Sequence, residues 1–188
     1  MKKIGSLRFE NLLDVSVQHA EQVRLIRNHP EIRKYMYTDH VISPNEHQCW
    51  IEKLKEDKTL EVFVVFKADQ LIGLVSVNKI SYQHRTADWA FYIDPKELGG
   101  GVGVQIEYAL LEYVFEDMGL QKLNCEVLSI NPKVVKLHQK FGFQNEGFRR
   151  ANIVKGKERV GVYLLGITAT EWKLEKPKFK KIIKRYAD

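Results

Sequence analysis

The chain has 188 residues and a formal charge of +6, from 30 lysines and arginines against 24 aspartates and glutamates. That length suits one globular domain, and a hydrophobic content of 44% with mixed charges excludes intrinsic disorder. Two cysteines exclude a disulfide-dense framework and a four-thiolate zinc site. No apolar run approaches the roughly 20 residues of a membrane span, and no apolar stretch follows the basic start. We therefore expect a cytoplasmic protein with reduced thiols.

The amino-terminal third predicts one strand followed by helices. Residues 7–12 are predicted as a strand and 16–28 as a helix, because apolar residues recur on one helical face. Pro30 interrupts that helix, since the residue before a proline avoids helical angles. Ser43-Pro44-Asn45-Glu46 predicts another helix start, in which the serine is the N-cap and the glutamate closes a capping box.

The rest of the chain mixes strands and helices. Strands are predicted at 61–66, 71–80, 86–93, 122–128, 146–154 and 159–167. Helices are predicted at 104–117 and 132–141, and Thr168-Ala169-Thr170-Glu171 opens a terminal helix with a second capping box. Because several strands are joined as hairpins, this order predicts an α/β fold with a mixed sheet. We expect a single domain over residues 1–170 and a basic carboxy-terminal helix or tail over 171–188.

The excess positive charge is concentrated in residues 173–185. A solvated tail or helix face explains such a run most simply, and a nucleic-acid-binding arm is the alternative. No zinc finger, leucine zipper or paired-aromatic motif accompanies it. The histidines show no ligand spacing with cysteines or carboxylates. We therefore expect no nucleic acid, no membrane and no metal as a partner, and a homodimer is compatible with the sequence.

A glycine-rich turn between a predicted strand and a predicted helix is the most informative segment. Four of the six residues in Leu98–Gly103 are glycines. Glycine permits positive φ and close backbone approach, and the amides at a helix start face one point with the positive end of the helix dipole. This combination binds phosphate without a basic side chain. The spacing fits neither a P-loop nor a dinucleotide fingerprint, and a flexible loop is the alternative interpretation.

A second motif, Asn131–Phe143, lies about 30 residues further on and is a predicted short helix ending in Gly-Phe. The two motifs together resemble the GNAT superfamily of acetyl-CoA-dependent N-acetyltransferases. The turn is similar to the family's Gln/Arg-x-x-Gly-x-Gly/Ala at its last two glycines, with Leu98 in place of Gln or Arg. The second motif is similar to Asn-x-x-Ala/Ser-x-x-Leu-Tyr-x-x-x-Gly-Phe, with His138 where tyrosine is common. The resemblance covers about residues 7–167 and implies the GNAT fold, a mainly antiparallel sheet flanked by helices.

The resemblance also implies direct transfer of an acetyl group from acetyl-CoA, the co-substrate, to a small-molecule amine. It assigns the diphosphate to backbone amides of the turn and the following helix, and the acetyl and pantetheine portion to the end of the preceding strand. The implied coenzyme-binding residues are Tyr92, Ile93, Gly101, Val102, Gly103, Val104 and Asn131, the last through its side chain.

Two side chains are candidates for proton transfer. A carboxylate in mid-strand is costly to bury without a task or partner, so Glu126 is predicted as the base, acting through water. The alternative is a glutamate paired with a lysine or exposed at a sheet edge. His138 is predicted as the acid that protonates the departing thiolate, and a histidine on an exposed helix face is the alternative. Cys125 is predicted as a buried core thiol, because the sequence reveals no His–Asp pair that would make it a nucleophile.

The resemblance places part of the acceptor pocket in the amino-terminal third. Arg27-Asn28-x-x-x-Ile32, Glu46-His47-x-x-Trp50-Ile51 and Trp89–Pro95 resemble the branch that acetylates the 4-amino group of a UDP-linked 4-amino-4,6-dideoxy sugar on the route to pseudaminic acid. Contacts to such a nucleotide sugar are expected from Arg27, His47, Trp50, Asn78 and Tyr82. The alternative is that Trp50 belongs to the core and Arg27 and His47 to an ordinary surface. Two other functions stay open: acetylation of a protein N-terminus, as in the ribosomal-protein acetyltransferases, and a non-catalytic acyl-CoA-binding module.

Overall fold

The structure, a computed structural model, describes residue 1 and residues 3–186. In this part of the chain seven strands form one sheet in the order β1-β2-β3-β4-β5-β7-β6. The strands are β1 (Leu7–Asn11), β2 (Glu61–Lys67), β3 (Gln70–Ser81), β4 (Thr86–Ile93), β5 (Lys122–Leu128), β6 (Gln144–Lys155) and β7 (Glu158–Thr168). The helices are α1 (Val17–Arg27), α2 (Pro30–Arg33), α3 (Pro44–Leu54), α4 (Val102–Glu112), α5 (Pro132–Lys140) and α6 (Ala169–Ile183). A π-helical turn, Tyr113–Asp117, continues α4, and short 3-10 turns lie at Pro95–Glu97 and Lys184–Tyr186.

The sheet has one parallel pair, β4 with β5, and its other neighbouring strands are antiparallel. The parallel ladder joins only residues 86–88 to residues 122–124. Both strands then continue without pairing to each other, β4 as far as Ile93 and β5 as far as Leu128. The sheet therefore opens along its middle, between two strands that remain hydrogen-bonded to β3 and to β7.

Helices cover both faces of the sheet. The larger core joins the face that carries Trp89 and Cys125 to helices α4 and α6, and a smaller core lies under α1 and α3 on the opposite face. Helix α6 belongs to the larger core, because Trp172 and Phe179 are buried in it. Among the described residues, none of the helices combines the length and apolarity that a membrane span requires.

The two predicted capping boxes have different outcomes. At α6 the box is complete, since Glu171 N–H donates to Thr168 Oγ1 at 3.2 Å and the Glu171 carboxylate accepts from Thr168 N–H at 2.7 Å. At α3 the N-cap is confirmed, because Ser43 Oγ accepts from Glu46 N–H at 3.2 Å. The second half of that box is wrong: the Glu46 carboxylate lies 2.8 Å from His40 Nε2 instead.

Candidate active site

A cleft of about 370 Å³ lies where β4 and β5 part. Its walls include the loop 35–37 after α2, the strand segments 88–91 and 125–128, and one face of α5. The unpaired parts of the two central strands thus form a binding site in the middle of the sheet.

Groups from both sheet faces reach this cleft. Side chains alternate along a strand, so Asp88 and Glu126 point to the α1 and α3 side, while Trp89 and Cys125 point to the α4 and α5 side. The imidazole of His138, from α5, lies on that second side with its centroid 5.0 Å from a Trp89 ring centroid. All five residues line the one cleft, because the gap between β4 and β5 joins the two faces.

Glu126 lies near the end of β5 with its side chain 24% exposed. Its carboxylate accepts a hydrogen bond from Arg149 Nη1 at 2.9 Å and a short one from the hydroxyl of Tyr37. Burial raises the pKa of Glu126, but the bonds from Tyr37 and Arg149 outweigh burial and leave the pKa lowered. The carboxylate is therefore ionised at neutral pH. The alternative drawn from the sequence was a glutamate that is paired with a lysine or exposed at a sheet edge. It is partly right: Glu126 is paired, but with Arg149, and β5 is a central strand.

His138 is buried, at 2% exposed, so the alternative of an exposed helix-face histidine is wrong. Its Nδ1 lies 2.9 Å from Oε1 of Glu107, a residue of α4 that is 0% exposed. Desolvation is the largest single influence and lowers the pKa of His138, but Glu107 and Cys125 together outweigh it and raise that pKa to about 10. The rings of Trp89, Phe91 and Phe143 pack around the imidazole.

Cys125 is buried, as predicted, and burial raises the pKa of its thiol. The thiol interacts with His138, which in turn bonds Glu107, so Cys125, His138 and Glu107 form a row. Sequence analysis missed Glu107 and therefore missed this row. The signal available was one carboxylate within the apolar helix segment 102–111.

The glycine turn leads directly into α4. Gly99–Gly101 all have positive φ, and Gly101 is the N-cap of the helix. The N–H of Val102 donates to the carbonyl of the first of these glycines at 3.2 Å. The next two amides, of Gly103 and Val104, have no intrahelical acceptor because they belong to the first helical turn. The helix dipole adds positive potential at the same point.

The last turn of the chain packs against this glycine turn. An added Cβ at Gly101 would collide with the phenol of Tyr186. Glycine is therefore required at position 101 for two reasons, its positive φ and the close approach of an aromatic ring. Through this contact α6 brings the basic end of the chain to the start of α4.

Two further predicted coenzyme contacts lie along the cleft. Strand β4 keeps β3 on one side up to Ile93, but beyond Asp88 no described strand pairs with its other side. Backbone groups near Tyr92 are therefore available on the cleft side. Asn131 is the N-cap of α5 and lines the cleft, and its side chain makes no capping hydrogen bond.

A second pocket, of about 250 Å³, is formed by Arg27, His47, Trp50 and Tyr92 together with neighbouring residues. His47 Nε2 lies 2.9 Å from a backbone carbonyl of α1, and desolvation lowers the pKa of His47, which keeps the ring neutral. Arg27 Nη2 donates to a backbone carbonyl at 2.9 Å, while its buried Nη1 has no partner. The structure thus brings the three predicted residues of this region together.

The predicted pair Asn78 and Tyr82 is not brought together. Asn78 lines the first cleft, whereas Tyr82 is 60% exposed in the turn between β3 and β4 and lines neither pocket. Tyr82 therefore lies apart from both pockets, because it belongs to the turn that joins β3 to β4, and its contact with a nucleotide sugar stays a prediction. Lys79 and Arg149 were not predicted, although both hold carboxylates of the cleft.

The parted parallel strands and the glycine turn at the start of α4 define the class of protein. A family profile described as an acetyltransferase (GNAT) domain matches residues 11–144, and the chain belongs to this family. The predicted fold class is confirmed. The chain is an acetyltransferase, and acetyl-CoA is its co-substrate.

Known relatives agree on the reaction. The chain is 28% identical over 137 residues to the acetyltransferase PseH of Campylobacter jejuni subsp. jejuni serotype O:23/36 (strain 81-176), covering 73% of this chain and 84% of that protein. It is 32% identical over 123 residues to the spermidine N(1)-acetyltransferase of Vibrio cholerae serotype O1, covering 65% and 71%. The crystal structure of spermidine N-acetyltransferase from Vibrio cholerae in complex with CoA and spermine matches with a TM-score of 0.83 at 25% identity, covering 89% and 98%. These relatives support acetyl transfer to an amine and leave the acceptor open.

Proposed function

We propose that this acetyltransferase acetylates the 4-amino group of a UDP-linked amino-dideoxy sugar. One observation carries the proposal: Glu126 and His138 line the same cleft from opposite faces of the sheet. A thioester held in the gap between β4 and β5 meets a base on one side and an acid on the other.

In this proposal the diphosphate of coenzyme A lies against the amides of Gly103 and Val104. Val102 contributes indirectly, because the hydrogen bond from its N–H closes the glycine turn. Gly101 contributes the positive φ of the turn, and Tyr186 fills the space beside it. The pantetheine arm then follows β4, where backbone groups of Tyr92 and Ile93 are available to it. The side chain of Asn131 lies on the opposite wall and supplies a further hydrogen bond.

The transfer needs three proton movements. Glu126 is ionised, so it attracts the acceptor ammonium and takes one proton from it through water, which frees the nitrogen lone pair. The amine nitrogen then attacks the thioester carbonyl carbon, loses its second proton to water, and the carbon–sulfur bond breaks with its electron pair on sulfur. His138 gives a proton to the departing thiolate, whose conjugate thiol has a pKa of about 8.5 in water. Arg149 and Tyr37 hold the carboxylate of Glu126 in place.

The second pocket supports a nucleotide as the far part of the acceptor. Tyr92 lies two residues beyond Ala90 on the same face of β4, so the two pockets are about 7 Å apart along the strand. Arg27 has an unpartnered buried nitrogen for a phosphate, and Trp50 offers a ring for stacking. One acceptor molecule can therefore fill both pockets, with its sugar amine near Glu126 and its nucleotide near Arg27.

The charges of the cleft favour such an anionic acceptor over a polycation. Asp88 is paired with Lys79 at 2.5 Å and Glu126 with Arg149 at 2.9 Å. Arg27 has no carboxylate partner among the described residues. The paired charges compensate each other, so the charge of Arg27 decides the preference: it attracts a diphosphate and repels a polyamine.

The proposal is tested by following CoA release with three acceptors: the UDP-linked 4-amino-4,6-dideoxy sugar, spermidine, and a peptide with a free N-terminus. The sugar is expected to have the highest kcat/KM. Arg27→Gln should raise KM for the sugar about 10- to 100-fold, because a charge-assisted hydrogen bond contributes about 1.5–3 kcal/mol. KM for acetyl-CoA should not change. Arg159→Gln is the matched control, since Arg159 also donates to a backbone carbonyl but lies outside both pockets.

A higher kcat/KM for spermidine or for the peptide than for the sugar would contradict the proposal. An unchanged KM for the sugar in Arg27→Gln would contradict the placement of the nucleotide in the second pocket.

A further inference from the structure

Glu107 is a buried carboxylate whose one protein partner in the described chain is His138. Its Oε1 lies 2.9 Å from Nδ1 of His138, and its Oε2 is buried with no hydrogen-bond partner. Both side chains are shielded from solvent, Glu107 at 0% and His138 at 2% exposed. An isolated carboxylate is costly in such surroundings, so the ionisation of Glu107 depends on the imidazole beside it.

The other neighbours of the imidazole carry little charge. Helix α4 contributes Glu107, β5 contributes the thiol of Cys125, and β4 contributes the rings of Trp89 and Phe91. The segment after α5 adds the ring of Phe143. Glu107 is therefore the charged group that sets the protonation state of His138. In water imidazole is a stronger base than a carboxylate by about two pH units; burial acts against this difference, because it raises the pKa of Glu107 and lowers that of His138, while the charge of Glu107 raises the pKa of His138.

We propose that Glu107 is a positioning residue that holds His138 as an imidazolium lining the cleft, ready to return a proton to the departing thiolate of coenzyme A. This inference rests on the proposed function, because it gives His138 the role of the acid. It adds Glu107, which contacts neither acetyl-CoA nor the acceptor and acts through His138.

The proton balance of the step is complete. When the carbon–sulfur bond breaks, sulfur keeps the electron pair and takes one proton from the imidazolium. His138 is left neutral, with its remaining N–H directed to Glu107, and it regains a proton from solvent before the next turnover. Glu107 remains a carboxylate throughout and fixes which ring nitrogen keeps its proton.

The first test needs no acceptor. In wild-type protein labelled with 15N-histidine, the His138 ring is expected to give an imidazolium signal up to about pH 8. Glu107→Gln keeps the shape and removes the charge, so burial should then make this ring neutral by about pH 6. A neutral His138 in the wild type at pH 7 would overturn the inference, whether or not the variant folds.

The second test uses the reaction with its best acceptor. In Glu107→Gln, kcat at pH 8 is expected to fall about 10- to 100-fold, with the alkaline limb of the kcat profile moved to lower pH. KM for acetyl-CoA should stay within about twofold. Glu112→Gln is the matched control, because Glu112 lies on the same helix and bonds Trp172 outside the cleft. A loss of kcat with an unmoved alkaline limb would mean that Glu107 acts only in packing, and would overturn the inference.

A third variant excludes a different use of the same row. Protein quenched during turnover with acetyl-CoA should carry no acetyl group on Cys125, and Cys125→Ser keeps a polar group beside His138 for comparison. An acetylated Cys125 trapped in the wild type, together with loss of turnover in Cys125→Ser, would replace the inference by a covalent acetyl-enzyme. If His138 titrates as expected but none of the three amines is acetylated, the proposed function fails and the protonation of His138 by Glu107 stands.

Discussion

Glu126 shows how neighbouring side chains decide what a carboxylate can do. Desolvation raises its pKa, and the hydrogen bonds from Tyr37 and Arg149 outweigh that effect. The result is an ionised group held by two donors at the mouth of the cleft. In the proposed reaction such a carboxylate attracts the acceptor ammonium and takes one proton from it through water before the nitrogen attacks the thioester.

Replacing Glu126 by Gln should therefore lower kcat about 10²- to 10³-fold, a typical effect of losing a general base. Binding of acetyl-CoA should be unchanged, because the coenzyme is held on the other side of the sheet. Initial rates and calorimetry measure the two quantities separately. Glu146→Gln is a suitable control, since Glu146 is also paired, with Lys122, but lies outside the cleft. Full activity of Glu126→Gln would contradict its assignment as the base.

The individual site residues differ in how far the sequence could predict them. Glu126 stood out because a charged residue inside a strand is unusual in any fold, and His138 because it lies in a recognisable motif. Glu107 and Arg149 could not be found in this way. Their partners are 31 and 23 residues away on other elements, so these pairs form only in the folded chain and leave no local signal in the sequence. The place of Tyr82 outside both pockets was not predictable for a similar reason, since it depends on how the β3–β4 hairpin lies in the folded sheet.

The helices and strands themselves were predictable almost throughout. Periodicity and capping signals are local, and strand β5 was placed at 122–128 as observed. The parting of β4 from β5 was not predictable, because it depends on which strands become neighbours. The sequence therefore predicted the two strands that flank the site but not the gap between them that forms it.

The glycine turn before α4 makes a prediction about two adjacent glycines. Gly100 and Gly101 both have positive φ, so replacing either by alanine should cost about 1–2 kcal/mol of stability. Only at Gly101 would the new methyl group collide with Tyr186. Gly101→Ala should therefore be less stable than Gly100→Ala by about a further 1–3 kcal/mol, the usual cost of overpacking.

Urea denaturation of both variants measures this difference. The double variant Gly101→Ala with Tyr186→Ala should recover most of the additional loss, because the collision is then removed. Equal stabilities of Gly100→Ala and Gly101→Ala would mean that Tyr186 does not pack on the turn. In that case α6 would not bring the basic end of the chain to the start of α4.

The molecule as a whole places the two side chains that we propose for proton transfer on opposite sides of one sheet. Glu126 lies on the side of α1 and α3, where its charge is compensated by residues near the surface. His138 lies within the larger core, where its charge is compensated by one carboxylate that is itself buried. The stability of the fold is therefore coupled to the protonation of the site.

This coupling predicts how global stability changes with pH. The pKa of His138 is raised to about 10 from an ordinary value of 6.5, and burial also raises the pKa of Glu107. The pair thus contributes stability that is fully present below pH 6.5 and is lost as the pH rises towards 10, because the folded chain holds a proton that the unfolded chain has released. The slope should reach at most about 1.4 kcal/mol per pH unit.

Urea denaturation between pH 6 and 10 measures this slope in the wild type and in Glu107→Gln. Without the carboxylate, burial lowers the pKa of His138 below 6.5, so the unfolded chain now holds the additional proton in acid. The contribution of this histidine then increases up to about pH 6.5 and stays constant above it, so the wild-type decrease in stability between pH 6.5 and 10 should be absent from the variant. Glu112→Gln should keep the wild-type slope. A wild-type stability that is independent of pH from 7 to 9 would show that His138 carries no additional proton in the folded chain.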